Sequence, residues 1–381
     1  MDAKFEIREI LASYFSLLGP EELKKFSLSS NADPPPLAFF WEDALTTDRE
    51  DGIRNSIIFY RALNELQRTP RLCLSYNEPL SLIYPWIVEK VFGWLSTRNQ
   101  KKLINMAGAE SIVGIAESMR EQNDLRNAFR GAFLEDINDR LLSFLYSLVY
   151  LMGFSSGGES SFISRIFPKT GGWTGHILDA GGGSGFSGLV LSSRGPVTYI
   201  DFSPFRARRA EAIAQMACAD GAFFDEMIGL INLESSVFSL SMKKESIPPL
   251  RRGEIVFRTG DLLHLPPDFG PFDGAVIADV LEHTKNPEGI LINIAKTLRP
   301  GAPLLITVPT EANGTLQKSR EGEVGLTFPF LLHIEFFSSD RIERMARGAN
   351  LAIEEVAPYS YEPENPGAKA PMEVMVVMRR M

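Results

Sequence analysis

The sequence contains few cysteines and few histidines. Its 381 residues include two cysteines, Cys73 and Cys218, and four histidines. Two cysteines are too few for the disulfide framework of a small secreted domain. The first ten residues, MDAKFEIREI, also have no apolar signal-peptide core. These features predict a protein of a reducing compartment, and the expected location is the cytoplasm.

Long apolar segments and excess positive charge are missing as well. The longest apolar run, LLSFLYSLVYLMGF at 141–154, is shorter than the roughly 20 residues that a membrane-spanning helix needs. We therefore expect no membrane partner. The net charge is −9, whereas binding to phosphate backbones requires a concentrated basic surface. The sequence thus predicts no nucleic-acid partner.

The two halves of the chain differ in their hydrophobic pattern. Residues 1–155 show helical spacing, as in KFEIREILASYFSLLGP, which stops at Gly19-Pro20. A chain of this length usually forms more than one domain. We predict an all-α amino-terminal domain over 1–155, a linker over 156–175 and a second domain over 176–381.

From His176 onward, strands and helices alternate. Seven segments have the composition of strands: HILDA, PVTYID, EIVFRTGD, FDGAVIADV, APLLITVP, LAIEEVAPYS and MEVMVVMRR. Alternation of this kind predicts an α/β domain with a mostly parallel sheet covered by helices. The last two strands are joined by a loop alone, so they should pair as an antiparallel hairpin. Residues 219–250 exceed a usual connection and are predicted to be an insertion, which fits an extra cover, a dimer contact or a lengthened core helix.

The stretch HILDAGGGSGFSG places five glycines within eight residues, 181–188. A strand, a glycine turn and a helix together expose backbone N–H groups at the carboxyl edge of a sheet, where an anionic or nucleoside ligand binds. Alone, this pattern is shared by proteins that bind nicotinamide, flavin and sulfonium cofactors. A dehydrogenase therefore remains an alternative at this point.

Acidic residues lie at the ends of three consecutive predicted strands. Asp179 precedes the glycines, Asp201 ends the second strand and Asp261 follows the third. Each of them alone would also fit a strand-end cap or a turn former. Together, at one sheet edge, they suit the cationic group, the ribose hydroxyls and the adenine edge of a nucleoside cofactor.

Five ordered motifs, ILDAGGGSG, VTYIDFSP, GDLLHLP, FDGAVIADVLEH and LRPGAPLLITVP, resemble those of class I S-adenosylmethionine-dependent methyltransferases. The resemblance covers about Ile177 to Met381 and implies a seven-stranded Rossmann-like sheet that binds S-adenosyl-L-methionine. Gly182 stands where many members carry cysteine, a departure that we expect only to bring the backbone nearer to the cofactor.

The resemblance also implies a role for each matching position. The methionine portion would contact Asp179, Gly181, Gly183 and Gly185. The ribose would bind Asp201, and Phe202 would cover one face of the adenine. Asp261 and Leu262 would bind the adenine edge, and Asp279 with Val280 would form the floor under the sulfonium.

Candidate acid–base residues follow the fourth strand. Glu282 and His283 in DVLEH lie beside the expected methyl position, and His333 follows a long loop that in such folds often covers the acceptor. We predict His283 or Glu282 as the base, with His333 orienting the acceptor. His283 would equally fit a structural bond to a backbone carbonyl. No resident metal is predicted, although these three side chains would also suit iron or zinc.

The predicted function is methyl transfer from S-adenosylmethionine to a small-molecule acceptor, such as an amino acid, a keto acid or a specialised metabolite. Protein acceptors stay open. The helical domain would form part of the acceptor pocket, a homodimer contact or both. One alternative is an enzyme that breaks another carbon–sulfur bond of the same cofactor by aminocarboxypropyl transfer or cyclisation, which releases methylthioadenosine. Another is a non-catalytic cofactor-binding partner.

Overall fold

The protein is represented by a computed structural model. The structure describes residues 49–50, 52–54, 88–89, 91–109, 111–136, 141, 162–223, 225, 254–312, 335–360 and 373–381. The chain divides into two compact units: Met1–Leu151 with Ser319–Leu331, and Met152–Lys318 with Leu332–Met381.

Three helices of the first unit are described along their whole length. They are α1 (Thr97–Ala107), α2 (Ile112–Glu121) and α3 (Asn123–Glu135). Helix α1 ends at Gly108, which adopts a left-handed conformation, and α2 begins after Ser111, whose side chain accepts a hydrogen bond from a backbone N–H of the first turn. The helices bury apolar side chains against one another, including Leu103, Ile115, Ala116, Met119, Leu125 and Phe129.

The second unit contains a seven-stranded sheet. Its strands are β1 (Ile177–Ala180), β2 (Val197–Asp201), β3 (Ile255–Thr259), β4 (Gly274–Ala278), β5 (Pro303–Pro309), β6 (Leu351–Ser360) and β7 (Glu373–Arg380). Their order is β3-β2-β1-β4-β5-β7-β6, and only β7 runs antiparallel to its two neighbours. This arrangement confirms the predicted fold class and the predicted final hairpin.

Helices follow most of the strands of this unit. They are α4 (Phe186–Leu191), α5 (Pro204–Ala219), α6 (Pro287–Thr297) and α7 (Ser339–Gly348). Ser203, Asn286 and Ser338 cap α5, α6 and α7, because each side chain accepts a backbone N–H of the first turn. A π-helical turn, Phe162–Ile166, precedes β1 and continues into the helical turn Phe167–Lys169. The predicted linker therefore includes a helical stretch. Most of the predicted insertion lies outside the described residues.

The central strands explain where a ligand could bind. Strands β1 and β2 are buried along their whole length, and β4 is nearly so, as expected for parallel strands covered on both faces. Because β1 pairs with both β2 and β4 in parallel, the carboxyl ends of these three strands meet at one edge. In parallel sheets, that edge is where ligands bind.

Candidate active site

The glycine turn after β1 is shaped by close contacts with the protein itself. Gly181, Gly183 and Gly185 have φ angles of 73°, 56° and 80°, a region that L-residues with a side chain seldom adopt. A Cβ atom at Gly181 would lie 2.5 Å from Val280 Cγ2, and one at Gly185 would lie 2.6 Å from Ala210 Cβ. Glycine is therefore required here by the packing of the turn, independently of any ligand.

Gly182 has an unexpected neighbour below the turn. A Cβ atom at this position would meet Asp179 Oδ2 and would lie 2.5 Å from Cδ2 of the Tyr199 ring. Tyr199 is fully buried on β2 and donates a hydrogen bond to the Gly183 carbonyl at 2.8 Å. The glycine therefore makes room for this tyrosine, and the expectation that it brings the backbone nearer to a ligand stays a prediction.

The carboxyl of Asp179 lies beneath the same turn. It is 2% exposed, and its Oδ2 accepts a hydrogen bond from Ser187 Oγ at 2.8 Å. Burial raises the pKa of Asp179 to about 7, with a further contribution from the Asp201 charge, while hydrogen bonds from Ser187 and the Gly188 backbone oppose the shift. In this position Asp179 supports the turn from below, and its contact with a cofactor stays a prediction.

Asp201 connects the end of β2 to the turn. It is 2% exposed. Its Oδ2 accepts the Gly183 N–H at 3.2 Å, and its Oδ1 accepts the Ser203 N–H at 3.0 Å. Arg206 Nη1 lies 3.4 Å from Oδ2. The carboxylate is thus held rigidly by protein donors, and a ribose hydroxyl would have to share or replace one of them.

The predicted adenine-binding residues differ in exposure. The Phe202 side chain is 58% exposed, which is unusual for a large aromatic residue and suits stacking on a planar ring. Asp261 accepts the Leu263 N–H at 2.9 Å through Oδ1, and its Oδ2 lies 2.7 Å from His264 Nδ1. Leu262 is 7% exposed and packs in the main core cluster. Its backbone, rather than its side chain, would therefore be the part that contacts a ligand.

Asp279 has a strained backbone at the end of β4. Its φ is 52°, which is uncommon for a residue other than glycine. Its N–H donates to Thr307 Oγ1 at 2.9 Å, and Thr307 Oγ1 donates to Asp279 Oδ1 at 2.6 Å. Asp279 as a whole residue is exposed, but its carboxyl is surrounded by protein. This burial raises the pKa of Asp279 above its ordinary value, and the hydrogen bond from Thr307 opposes the shift. Val280 packs partly buried against the core beside it.

A buried glutamate follows in the 3-10 turn Leu281–His283. Glu282 is 2% exposed, and no hydrogen-bond donor reaches its Oε2 within the described part of the chain. Burial raises the pKa of Glu282 well above its usual value, and the charges of Asp279 and Glu373 add to the effect. His283 Nε2 lies 3.9 Å from Glu282 Oε1. Buried polar atoms are rarely left without a partner, so this atom calls for a functional explanation.

The third predicted catalytic residue, His333, lies outside the described residues. Within the described ranges, no group of three or more histidine, cysteine or acidic side chains is arranged to hold a metal ion. The predicted absence of a resident metal and the metal-binding alternative both stay untested. Sequence reasoning missed Tyr199, Ser187 and Thr307, which hold the predicted residues in position. A hydroxyl on a predicted strand was the only signal available for Tyr199 and Thr307.

The sheet, the glycine turn and the carboxylates at one edge define an α/β enzyme with a Rossmann-like cofactor site. Residues 159–356, about half of the chain, match the protein family described as a methyltransferase domain. The chain belongs to this family, and it is an S-adenosylmethionine-dependent methyltransferase. The resemblance found in the sequence is thereby confirmed. No curated protein sequence matches the chain.

Three solved structures illustrate the similarity. Magnesium protoporphyrin IX methyltransferase from Synechocystis PCC 6803 is 14% identical, with 64% of this chain and 89% of that chain covered and a TM-score of 0.39. A methyltransferase from Thermotoga maritima, described as a possible histamine N-methyltransferase, is also 14% identical, with 64% and 97% covered and a TM-score of 0.41. A methyltransferase from Methanosarcina mazei is 19% identical, with 57% and 97% covered and a TM-score of 0.38.

The residues at the sheet edge fit S-adenosylmethionine. The exposed ring of Phe202 offers a stacking surface directly after the rigid Asp201. Glu282, whose Oε2 has no hydrogen-bond partner among the described residues, follows the strand where the methyl group is expected. These features suit a ligand that is aromatic at one end and reactive at the other.

Proposed function

We propose that this protein transfers a methyl group from S-adenosylmethionine to a small-molecule acceptor, such as an amino acid, a keto acid or a specialised metabolite. The acceptor would carry an O–H or N–H group. The observation that supports this proposal is the buried Glu282 carboxyl, whose Oε2 has no hydrogen-bond partner among the described residues. The acceptor would supply the missing donor.

The cofactor-binding residues lie at the ends of four strands, β1 to β4, and each strand end would bind one part of the ligand. Gly181, Gly183 and Gly185 would contact the methionine portion through their backbones, and Asp179 would support that turn. Asp201 would bind the ribose hydroxyls. The adenine would lie between Phe202 and the Asp261–Leu262 segment, and Asp279 with Val280 would lie beneath the sulfonium.

When bound, S-adenosylmethionine supplies a methyl group on a sulfonium that is already an activated leaving group. The protein then has to align the acceptor and remove a proton. Glu282 would accept the proton from the acceptor O–H or N–H as the new bond to the methyl carbon forms. A raised pKa makes a carboxylate a stronger base. His283, at 3.9 Å, would orient Glu282 or pass the proton onward, and His333 would orient the acceptor.

Product analysis tests the reaction type. The full chain would be incubated with S-adenosylmethionine and fractions of a metabolite extract, and the nucleoside products would be separated by chromatography. S-adenosylhomocysteine together with a methylated small molecule supports the proposal. Methylthioadenosine would instead reveal cleavage of another carbon–sulfur bond. Tight cofactor binding without turnover on metabolites, peptides or proteins would favour a non-catalytic partner.

We also propose that residues 1–155 contribute to the acceptor pocket or form a homodimer contact, and that the protein acts in the cytoplasm without a nucleic-acid or membrane partner. The net charge of −9 supports the exclusion of nucleic acid. In the described residues, no helix has the length and apolar character to cross a bilayer. Light scattering on the full chain would test the homodimer. A monomeric mass at micromolar concentration would contradict it.

A further inference from the structure

Two hydrogen bonds join Thr307 and Asp279 in a reciprocal arrangement. The Thr307 hydroxyl accepts the Asp279 N–H at 2.9 Å and donates to Asp279 Oδ1 at 2.6 Å. Thr307 is fully buried on β5, and β4 ends one residue before Asp279. A single hydroxyl therefore determines both the backbone and the carboxylate orientation of its neighbour.

This contact coincides with backbone strain. Asp279 and Asn350 are the only residues other than glycine with a positive φ among the described residues. Such a conformation costs free energy and persists where the surrounding contacts hold it, which is typical of functional sites. The reciprocal bonds from Thr307 supply that constraint on the side of β5.

We propose that Thr307 is a positioning residue that holds the Asp279 carboxylate in place for the positively charged sulfonium of the methyl donor. This inference rests on the proposed function, in which Asp279 lies beneath the sulfonium. An oriented carboxylate stabilises a cation more than a mobile one, because no reorganisation is needed when the cation binds. Thr307 would therefore favour the charged donor over its neutral product.

The consequence is a difference between two ligands of nearly the same shape. S-adenosylmethionine carries the sulfonium charge, whereas S-adenosylhomocysteine carries a neutral thioether. Residues that contact the adenine, the ribose or the amino-acid arm affect both ligands alike. A residue that acts through the charge at sulfur affects the ratio of the two dissociation constants.

The test is a calorimetric titration of both ligands into the full chain and its variants. Thr307→Val removes the hydroxyl and retains the shape, so we expect about tenfold weaker binding of S-adenosylmethionine and nearly unchanged binding of S-adenosylhomocysteine. Thr307→Ser retains the hydroxyl and should restore the original ratio. Thr198→Val is the matched control, since Thr198 is a buried threonine on β2 that bonds His176 Nε2 at 2.8 Å.

Two results would overturn the proposal. One is an unchanged ratio in Thr307→Val, whether the two ligands keep their affinity or lose it equally. The other is a changed ratio that Thr307→Ser fails to restore, which would indicate a structural role. If Thr307→Val does not fold, Asp279→Asn replaces it, because asparagine tolerates a left-handed backbone and lacks the charge. An unchanged ratio of the two dissociation constants in Asp279→Asn would also overturn the proposal. Binding is measured without turnover, so a failure here leaves the proposed methyl transfer standing.

Discussion

The buried carboxyls of Asp179 and Asp201 on one side of the sheet edge differ from that of Glu282 on the other side in their hydrogen bonding. On the β1–β2 side, Asp179 and Asp201 are buried and accept hydrogen bonds from Ser187, Gly183 and Ser203. On the β4–β5 side, Glu282 is buried to the same extent, yet no described residue donates to its Oε2. Asp279 on the β4–β5 side also accepts a hydrogen bond, from Thr307, so the contrast is between these three aspartates and Glu282 Oε2.

We interpret this difference as a division between residues that bind the cofactor and a residue that takes part in the reaction. A satisfied carboxylate is rigid and holds the glycine turn in one conformation, so the cofactor meets a site that needs little rearrangement. An unsatisfied buried carboxyl costs roughly 1–3 kcal/mol or more, and such a cost is tolerated where a ligand or a reaction uses the group. The β1–β2 side is therefore expected to act on cofactor affinity, whereas Glu282 on the β4 side is expected to act on turnover.

The largest expected effect is on turnover at Glu282. Glu282→Gln retains the shape but cannot accept a proton, so the rate should fall by about 100- to 10,000-fold while cofactor affinity is retained. Steady-state kinetics and calorimetry measure the two quantities. In the unaltered enzyme, kcat/KM should rise with pH through the raised pKa of Glu282, because the base must be ionised, and the glutamine variant should lose this rise.

Glu335→Gln is the matched control for that prediction. Glu335 is half-buried, and its carboxylate accepts a hydrogen bond from Arg341 at 2.6 Å. The control should keep the normal rate and pH profile. If Glu282→Gln turns over as fast as the unaltered enzyme, Glu282 has no part in the mechanism. Its Oε2, which has no donor among the described residues, would then have no catalytic meaning.

The second effect is on the packing of the glycine turn. Gly182→Ala places a Cβ atom against Asp179 and the Tyr199 ring, and overpacking of this kind costs about 1–3 kcal/mol. Cofactor binding should weaken on the order of tenfold to a hundredfold, as measured by calorimetry. Gly172→Ala is the control, because that glycine has open space around its Cβ position.

The third effect concerns the ribose. Asp201→Ala removes the acceptor of the Gly183 and Ser203 N–H groups and the predicted acceptor of the ribose hydroxyls, so the dissociation constant should rise about tenfold or more. Arg206→Gln serves as the comparison, since it removes the 3.4 Å ion pair and keeps the carboxylate. An unchanged constant in Asp201→Ala would exclude Asp201 from the cofactor site.

The smallest expected effect on binding is at Asp179. Its pKa is about 7 in the folded protein and 3.8 ordinarily, so the folded state binds this proton more tightly and stability falls as pH rises from about 4 through about 7. Asp179→Asn removes this titrating carboxyl. It should be more stable than the unaltered protein at pH 8, with no such advantage at pH 4, in thermal melts. Cofactor affinity should change less than about threefold, because asparagine retains the shape of the side chain and an acceptor oxygen. A larger loss would show that the charge of Asp179 contributes to cofactor binding.

Much of the fold follows from local patterns. The apolar runs HILDA and FDGAVIADV become buried central strands because parallel strands are covered on both faces. Ser203-Pro204 and Asn286-Pro287 begin helices, as their capping chemistry requires. The positions of Asp179, Asp201 and Asp279 at strand ends were predictable for the same reason, since strand direction places them at one edge.

The partners of these residues were not predictable. Tyr199 and Gly183 are separated by 16 residues, and Asp279 and Thr307 by 28. Their contacts exist because β1 lies between β2 and β4, and because β5 pairs with β4. The sequence contains the side chains, but no local pattern states which strands become neighbours.

By itself the sequence determined the order of strands and helices, the glycine turn and the row of acidic residues, because these depend on spacing and backbone preference along the chain. Only the tertiary structure decided which carboxylate oxygens accept hydrogen bonds, and that Glu282 Oε2 has no donor among the described residues. Hydrogen-bond satisfaction depends on atoms brought within about 3 Å by folding, and that proximity is a property of the packed sheet.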